Sequence, residues 1–179
     1  SLILLAKIYN ILPFKMRRKL FEIHRFTRGK LGLGIRYALL KSMSHKCGKN
    51  VSIHPGTYIF NIQNLIIGNN VSIHPMCYIE CGNIPGGVQI DQNVSIAHGT
   101  TIMATTHNYE DIDIPIKDQG VENRSVHIHE NVWIGAKATI TAGVSIESGC
   151  VIGANAVVTK STEKNFVYVG VPAKKLKQR

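Results

Sequence analysis

From residue 51 onward, aliphatic side chains recur every six positions. They stand at Ile53 and Ile59, at Ile67, Ile73 and Ile79, at Ile90, Ile96 and Ile102, and at Ile128, Ile134, Ile140, Ile146, Ile152 and Val158. Two positions before most of them is a small or branched residue, as in Val51, Val71, Cys77, Val94, Val132, Ala138 and Ala156. Three positions after nine of the fourteen comes Gly or Asn: Gly56, Asn70, Gly82, Asn93, Gly99, Asn131, Gly143, Gly149 and Asn155. Successive residues of a strand face opposite ways, so two inward side chains separated by one outward residue make a short strand. Gly and Asn tolerate positive φ and let the chain turn a corner. Six residues thus supply one strand and one corner, and their repetition predicts a parallel β-helix with an aliphatic interior and ends that need caps.

The first part of the chain has a different period. Leu2, Leu5, Ile8, Tyr9 and Leu12 lie at helical spacing, and the segment to about Leu40 predicts two helices, interrupted near Pro13 and again around Gly29–Gly34. Its apolar run is broken by Lys7, Asn10 and Pro13 and is too short to span a bilayer. It also lacks the basic start and small-residue cleavage site of a signal peptide. Residues 1–49 therefore read either as a helical cap on the repeat domain or as an amphipathic segment, residues 1–40, in peripheral contact with a membrane surface. Residues 50–163 form the β-helix and 164–179 a basic tail.

The six-residue count is interrupted three times. Small insertions fall between Ile59 and Ile67 and between Ile79 and Ile90, where Gly82, Pro85, Gly86 and Gly87 permit a bulged corner. The third interruption separates Ile102 from Ile128 and leaves an inserted loop, 103–125, that carries His107, Asn108, Tyr109, Glu110, Asp111 and Asp113. Loops of that length in compact domains are usually functional or disordered.

Composition narrows the class. With 179 residues, 44% of them hydrophobic and only 7% aromatic, the chain can fill an aliphatic core as one domain with an appendage, and disorder is excluded as its default state. Cys47, Cys77, Cys81 and Cys150 form no C-x-x-C pair, which points to a reduced, cytoplasmic setting, with the inner face of the membrane as a variant. Residues 1–49 hold twelve Lys/Arg against the single acid Glu22, whereas 50–163 hold four basic and ten acidic residues. A basic end and tail flank an acidic body, and no nucleic-acid-binding motif accompanies the charge, so no nucleic acid is expected as partner.

His107 stands where the coil gives way to the loop, and imidazole suits general-base work at neutral pH. His54, His74, His127 and His129 fall at outward strand positions and read as surface histidines; His127 and His129 flank Ile128 on one face and could touch a metal, but two outward strand histidines are more often incidental, and no metal site is expected.

Four motifs occur in one order: Ala104-Thr105-Thr106-His107-Asn108, Asn131-Val132-Trp133-Ile134-Gly135-Ala136, Val151-Ile152-Gly153-Ala154 with Val157-Val158-Thr159-Lys160, and Val169-Gly170-Val171-Pro172-Ala173-Lys174. In these, the chain from Val51 resembles the left-handed β-helix acyltransferases, particularly the sugar O-acetyltransferases that act on galactosides, maltose, capsule or lipopolysaccharide. The resemblance implies a left-handed parallel β-helix of hexapeptide repeats with a long active-site loop. It also implies a homotrimer and acetyl-CoA as acyl donor to a sugar or polysaccharide acceptor, transferred directly with His107 as base. By the same resemblance Trp133 and Ala136 line the pantetheine path, Ala154, Thr159 and Lys160 continue it, and Lys174 approaches the nucleotide phosphates. His74, Asn108 and Glu80 are acceptor-side candidates. Glu80, Glu110, Asp111 and Asp113 are candidates to orient the ring.

Three other readings differ in chemistry. An amino-sugar or small-molecule N-acetyltransferase would keep the fold and change the nucleophile. A non-catalytic scaffold would keep only the repeats. A zinc enzyme of the gamma carbonic anhydrase type needs two histidine ligands five residues apart, and no pair here has that spacing.

Overall fold

A computed structural model describes residues 2–179. Helices α1 (Leu2–Tyr9), α2 (Phe14–Ile23) and α3 (Gly29–Met43) come first. The first coil is β1 (Lys46–Cys47), β2 (Val51–Ile53) and β3 (Tyr58–Phe60), and the second is β4 (Leu65–Ile67), β5 (Val71–Ile73) and β6 (Tyr78–Glu80). The third is β7 (Val88–Ile90), β8 (Ser95–Ile96) and β9 (Thr101–Met103). A hairpin, β10 (Thr105–His107) and β11 (Val121–Asn123), then leaves the solenoid. The fourth coil is β12 (Val126–Ile128), β13 (Trp133–Ile134) and β14 (Thr139–Ile140), and the fifth is β15 (Ser145–Ile146), β16 (Val151–Ile152) and β17 (Val157–Val158). The chain ends in β18 (Phe166–Val169) and β19 (Lys174–Gln178).

Equivalent strands of successive coils pair in parallel and build a three-sided prism. The first face holds β1, β4, β7, β12 and β15, the second β2, β5, β8, β13, β16 and β18, and the third β3, β6, β9, β14 and β17. Pairing is in register, Ile73 over Ile53 and Ile134 over Ile96, so the repeat isoleucines stack into one buried column system. All nine corner residues expected from the repeat have positive φ. At the same phase two more corners are turned by Met76 (φ 62°) and Lys137 (φ 58°), where a β-carbon makes the left-handed conformation cost about 1–2 kcal/mol.

Both ends of the column are covered. Leu39, Leu40 and Met43 of α3 close the first coil, and Tyr168 closes the last, paired over Ile152. The completely buried Arg36 fixes α3 to the solenoid. Its Nε donates to the Ile53 carbonyl at the open edge of β2 (2.7 Å), and Nη1 donates to the carbonyls of His24 (2.9 Å) and Thr27 (2.7 Å). The interruption expected around Gly29–Gly34 falls at its leading edge, at Thr27–Arg28 with Gly29 itself at φ 71°, and α3 then runs through Gly32 and Gly34. Gly32 is there because its α-carbon abuts the Thr27 carbonyl and leaves no room for a side chain. Residues 164–179 form the β18–β19 hairpin, with Phe166 opposite Gln178 and Val169 opposite Lys174. No helix among the described residues is long and apolar enough to cross a membrane.

Candidate active site

The six-residue rule fails after β9 because the chain turns out of the prism at the edge between the third and first faces. β10 pairs antiparallel with β11, Thr105 opposite Asn123 and His107 opposite Val121, which sets His107 at the outer end of a short ribbon. Two bonds from the second coil anchor the ribbon's root. Glu80 Oε2 accepts from the Thr105 hydroxyl (2.8 Å), and Asn123 Oδ1 accepts from the N–H of Asn83 (2.7 Å). The other Glu80 oxygen accepts from the N–H of Gly82 (2.7 Å), so both carboxylate oxygens are engaged.

The His107 ring is exposed and makes no hydrogen bond among the described residues. None of the candidate carboxylates orients it within one chain. Glu110 accepts from the N–H of Tyr109 (3.0 Å) and Asp111 from that of Asp113 (2.9 Å), which spends them on the loop's own backbone. Asn108 likewise closes the loop, its side-chain amide donating to the Gln119 carbonyl (3.1 Å). The loop tip exposes apolar residues: Ile112 is 95% exposed, with Tyr109, Ile114 and Ile116 beside it.

Beside the root of the ribbon lies a cavity of about 260 Å³ lined by Thr105, Thr106, Arg124, Thr141 and Thr159 among others. Its wall is rich in hydroxyls, with one guanidinium. Thr105, Asn123 and Arg124 were not legible as site residues, because nothing in their spacing says that the loop returns as a strand.

The remaining candidates divide between two edges. Thr159 and Lys160 follow β17 at the third–first edge, the edge that carries His107. Trp133 is exposed on the second face. Ala136 and Ala154 follow second-face strands one coil apart, and the Asn155 N–H donates to the Ala136 carbonyl between them (2.9 Å). The backbones of these two coils approach closely beside them: a β-carbon on Gly135 would come within 2.6 Å of the Ala154 nitrogen. Lys174 opens β19 at the top of the same face. His74 follows β5 on that face, its ring stacked on His54 at 5.0 Å. One chain thus puts His107 and most of the cofactor-side candidates on different edges of the prism.

The cysteines offer no competing nucleophile. All four are free, and burial pushes the thiols of Cys47 and Cys77 up to about 11 and that of Cys81 higher still.

A three-sided solenoid with one loop thrown out at a histidine defines a hexapeptide-repeat β-helix. The family model described as bacterial transferase hexapeptide (six repeats) matches residues 125–160. Galactoside O-acetyltransferase of Escherichia coli is 31% identical over 80% of this chain and 68% of its own length. The chain belongs to this hexapeptide transferase family, and the left-handed winding goes with that membership. A probable acetyltransferase of Mycobacterium tuberculosis is 31% identical over 98% of the chain, which spans only 57% of that relative. Among solved structures, a galactoside acetyltransferase in complex with coenzyme A superposes with a TM-score of 0.79 at 27% identity, covering 92% of this chain and 80% of that one. An N-acyltransferase from Bacillus cereus, in complex with dTDP and 3-hydroxybutyryl-CoA, superposes at 0.63 and 27% identity, over 79% and 86% of the two chains.

Proposed function

We propose that this chain catalyses acetyl transfer from acetyl-CoA to a sugar or polysaccharide hydroxyl, with His107 as general base. One observation carries the reading: an exposed, unbonded histidine stands where the longest break in the repeat leaves the prism, on a ribbon tied down by Glu80 through Thr105. His107 takes the proton of the acceptor hydroxyl as its oxygen attacks the thioester carbonyl. The new C–O bond forms, the C–S bond breaks, and the imidazolium returns its proton to the departing CoA thiolate. The high thiol pKa values favour direct transfer over an acyl-cysteine intermediate.

In this reading the site is completed between chains of a homotrimer. His107 on the third–first edge of one chain faces Trp133, Ala136 and Ala154 on the second face and its edge in a neighbour, and the exposed loop tip around Ile112 is covered there. His74 would meet an acceptor only across that boundary. Asn108 and Glu80 act by holding the loop and the ribbon. Complementation tests this directly. A His107→Ala chain and an Ala154→Trp chain, each inactive alone, recover activity when co-refolded if the site is shared between chains. No recovery would mean that base and cofactor path belong to one chain.

Similarity to an N-acyltransferase supports a second reading, in which the acceptor is an amine. Amino-sugar acceptors in the assay separate the two. Peripheral membrane contact rests on exposed Leu4, Ile8, Ile11, Ile23, Phe26 and Leu31 among the basic residues of the amino-terminal helices. Co-sedimentation with anionic vesicles tests it, and the absence of binding at low salt would remove it.

A further inference from the structure

On the first face, three donor groups from two adjacent coils converge. Asp91 follows β7, and His127 and His129 flank Ile128 in β12, so strand alternation turns both imidazoles outward over the carboxylate below. His127 Nε2 lies 3.1 Å from Asp91 Oδ2, and His129 Nδ1 lies 3.6 Å from the same oxygen. The three donor atoms all fall within 4.8 Å of one another.

The two separations from Asp91 are those of a coordination polyhedron's edges, and the two imidazoles stack beside each other with ring centroids 3.8 Å apart. With bonds of about 2.0–2.1 Å, a tetrahedral zinc site has ligand–ligand edges of about 3.3 Å. The two observed edges bracket that value. The coil above holds the far side of His129: its Nε2 is 3.1 Å from Ser145 Oγ and 3.6 Å from Glu147 Oε1, and the Ser145 hydroxyl donates to Glu147 (3.2 Å). With the Nε2 proton directed at that hydroxyl and carboxylate, the lone pair of Nδ1 faces Asp91. Metal-binding imidazoles are commonly fixed in this way. Among the described residues the ion-pair partners of Asp91 and Glu147 are these two histidines alone, with no lysine or arginine, so neutral imidazoles leave the carboxylate charge for a cation to balance.

We propose that Asp91, His127 and His129 bind a divalent transition cation of the zinc class, with Glu147 and Ser145 orienting His129 and the fourth position open to solvent. Imidazole and carboxylate donors in tetrahedral array suit Zn²⁺ and Co²⁺. The cation clips the third coil to β12, the strand on which the chain re-enters the solenoid after the loop. Its role is structural, and it stands or falls independently of acetyl transfer. Asp91 was not legible as their companion, because it lies 36 residues before His127 and only the coil register joins them.

The test uses chelator-stripped full-length protein titrated with Co²⁺, read by visible absorption and by thermal unfolding. One equivalent per chain should give a saturable tetrahedral Co²⁺ band, displaced by Zn²⁺, with a rise in Tm. His127→Gln and His129→Gln, folded by circular dichroism, should lose both signals. Glu147→Gln should keep the band and weaken binding by about tenfold. His107-dependent thiol release from acetyl-CoA should persist in His127→Gln. Absence of a saturable band in the parent protein, or an unchanged band in the two histidine variants, would overturn the proposal. The parent titration decides even if a variant fails to fold.

Discussion

Arg36→Met removes the guanidinium that joins the helical cap to the solenoid while keeping most of its apolar stem. Among the described residues the carbonyls of Ile53 and Thr27 lose their hydrogen-bond donor, whereas that of His24 keeps the Thr27 N–H (3.2 Å) and that of Arg25 the Gly56 N–H (2.9 Å). At about 1–1.5 kcal/mol for each of these two orphaned carbonyls the loss is about 2–3 kcal/mol. An offset comes from the guanidinium itself. It is buried without a carboxylate, one of its nitrogens (Nη2) has no partner, and burial lowers its pKa, so methionine removes a desolvation cost. The net expectation is a destabilisation of about 1–3 kcal/mol. Urea unfolding at fixed protein concentration measures it, since association would otherwise shift the midpoint. Amide exchange should locate the loss in residues 29–43, whose Leu39 and Leu40 cover the first coil. A variant within about 0.5 kcal/mol of the parent would refute the reasoning, because the carbonyls would then be satisfied without Arg36.

Lys137→Asn puts at a left-handed corner the residue used at Asn93, Asn131 and Asn155, and should stabilise by roughly 1 kcal/mol, raising Tm by about 2–4 °C; an unchanged Tm would show the corner unstrained. Burial, the neighbouring His74 and Arg36 lower the pKa of His54. Because the folded-state pKa lies below the unfolded one, stability falls as pH drops through the usual imidazole value, and His54→Gln should flatten that slope in urea titrations across it. Glu80→Gln weakens the hold on Thr105, so it should cut kcat with little change in the KM for acetyl-CoA. A pure KM effect would instead make Glu80 a binding group.

The periodicity of isoleucines made the prism legible, since each corner residue had to reach positive φ and Gly or Asn marks most of those positions. Met76 and Lys137 turn corners without any such mark, and only the coil above and below holds them there. The helix through Gly29–Gly34 was illegible for the opposite reason: Gly32 reads as a breaker but serves a close approach to Thr27. His107 was legible because the count fails beside it. Its supports, Glu80 through Thr105 and Asn83 through Asn123, were not, because each joins residues more than twenty positions apart through coil stacking. The separation of His107 from Trp133, Ala136 and Ala154 onto different edges likewise emerges only once strands are assigned to faces.

The central claim is that His107 removes the acceptor proton during acetyl transfer. Free-thiol release from acetyl-CoA, followed against sugars, nucleotide sugars, amino sugars and polysaccharide fragments for the parent and for His107→Ala, tests it most directly. Release should depend on a hydroxyl acceptor and fall by about 10²–10⁴ in the variant. Acceptor-dependent release that survives the substitution would contradict it.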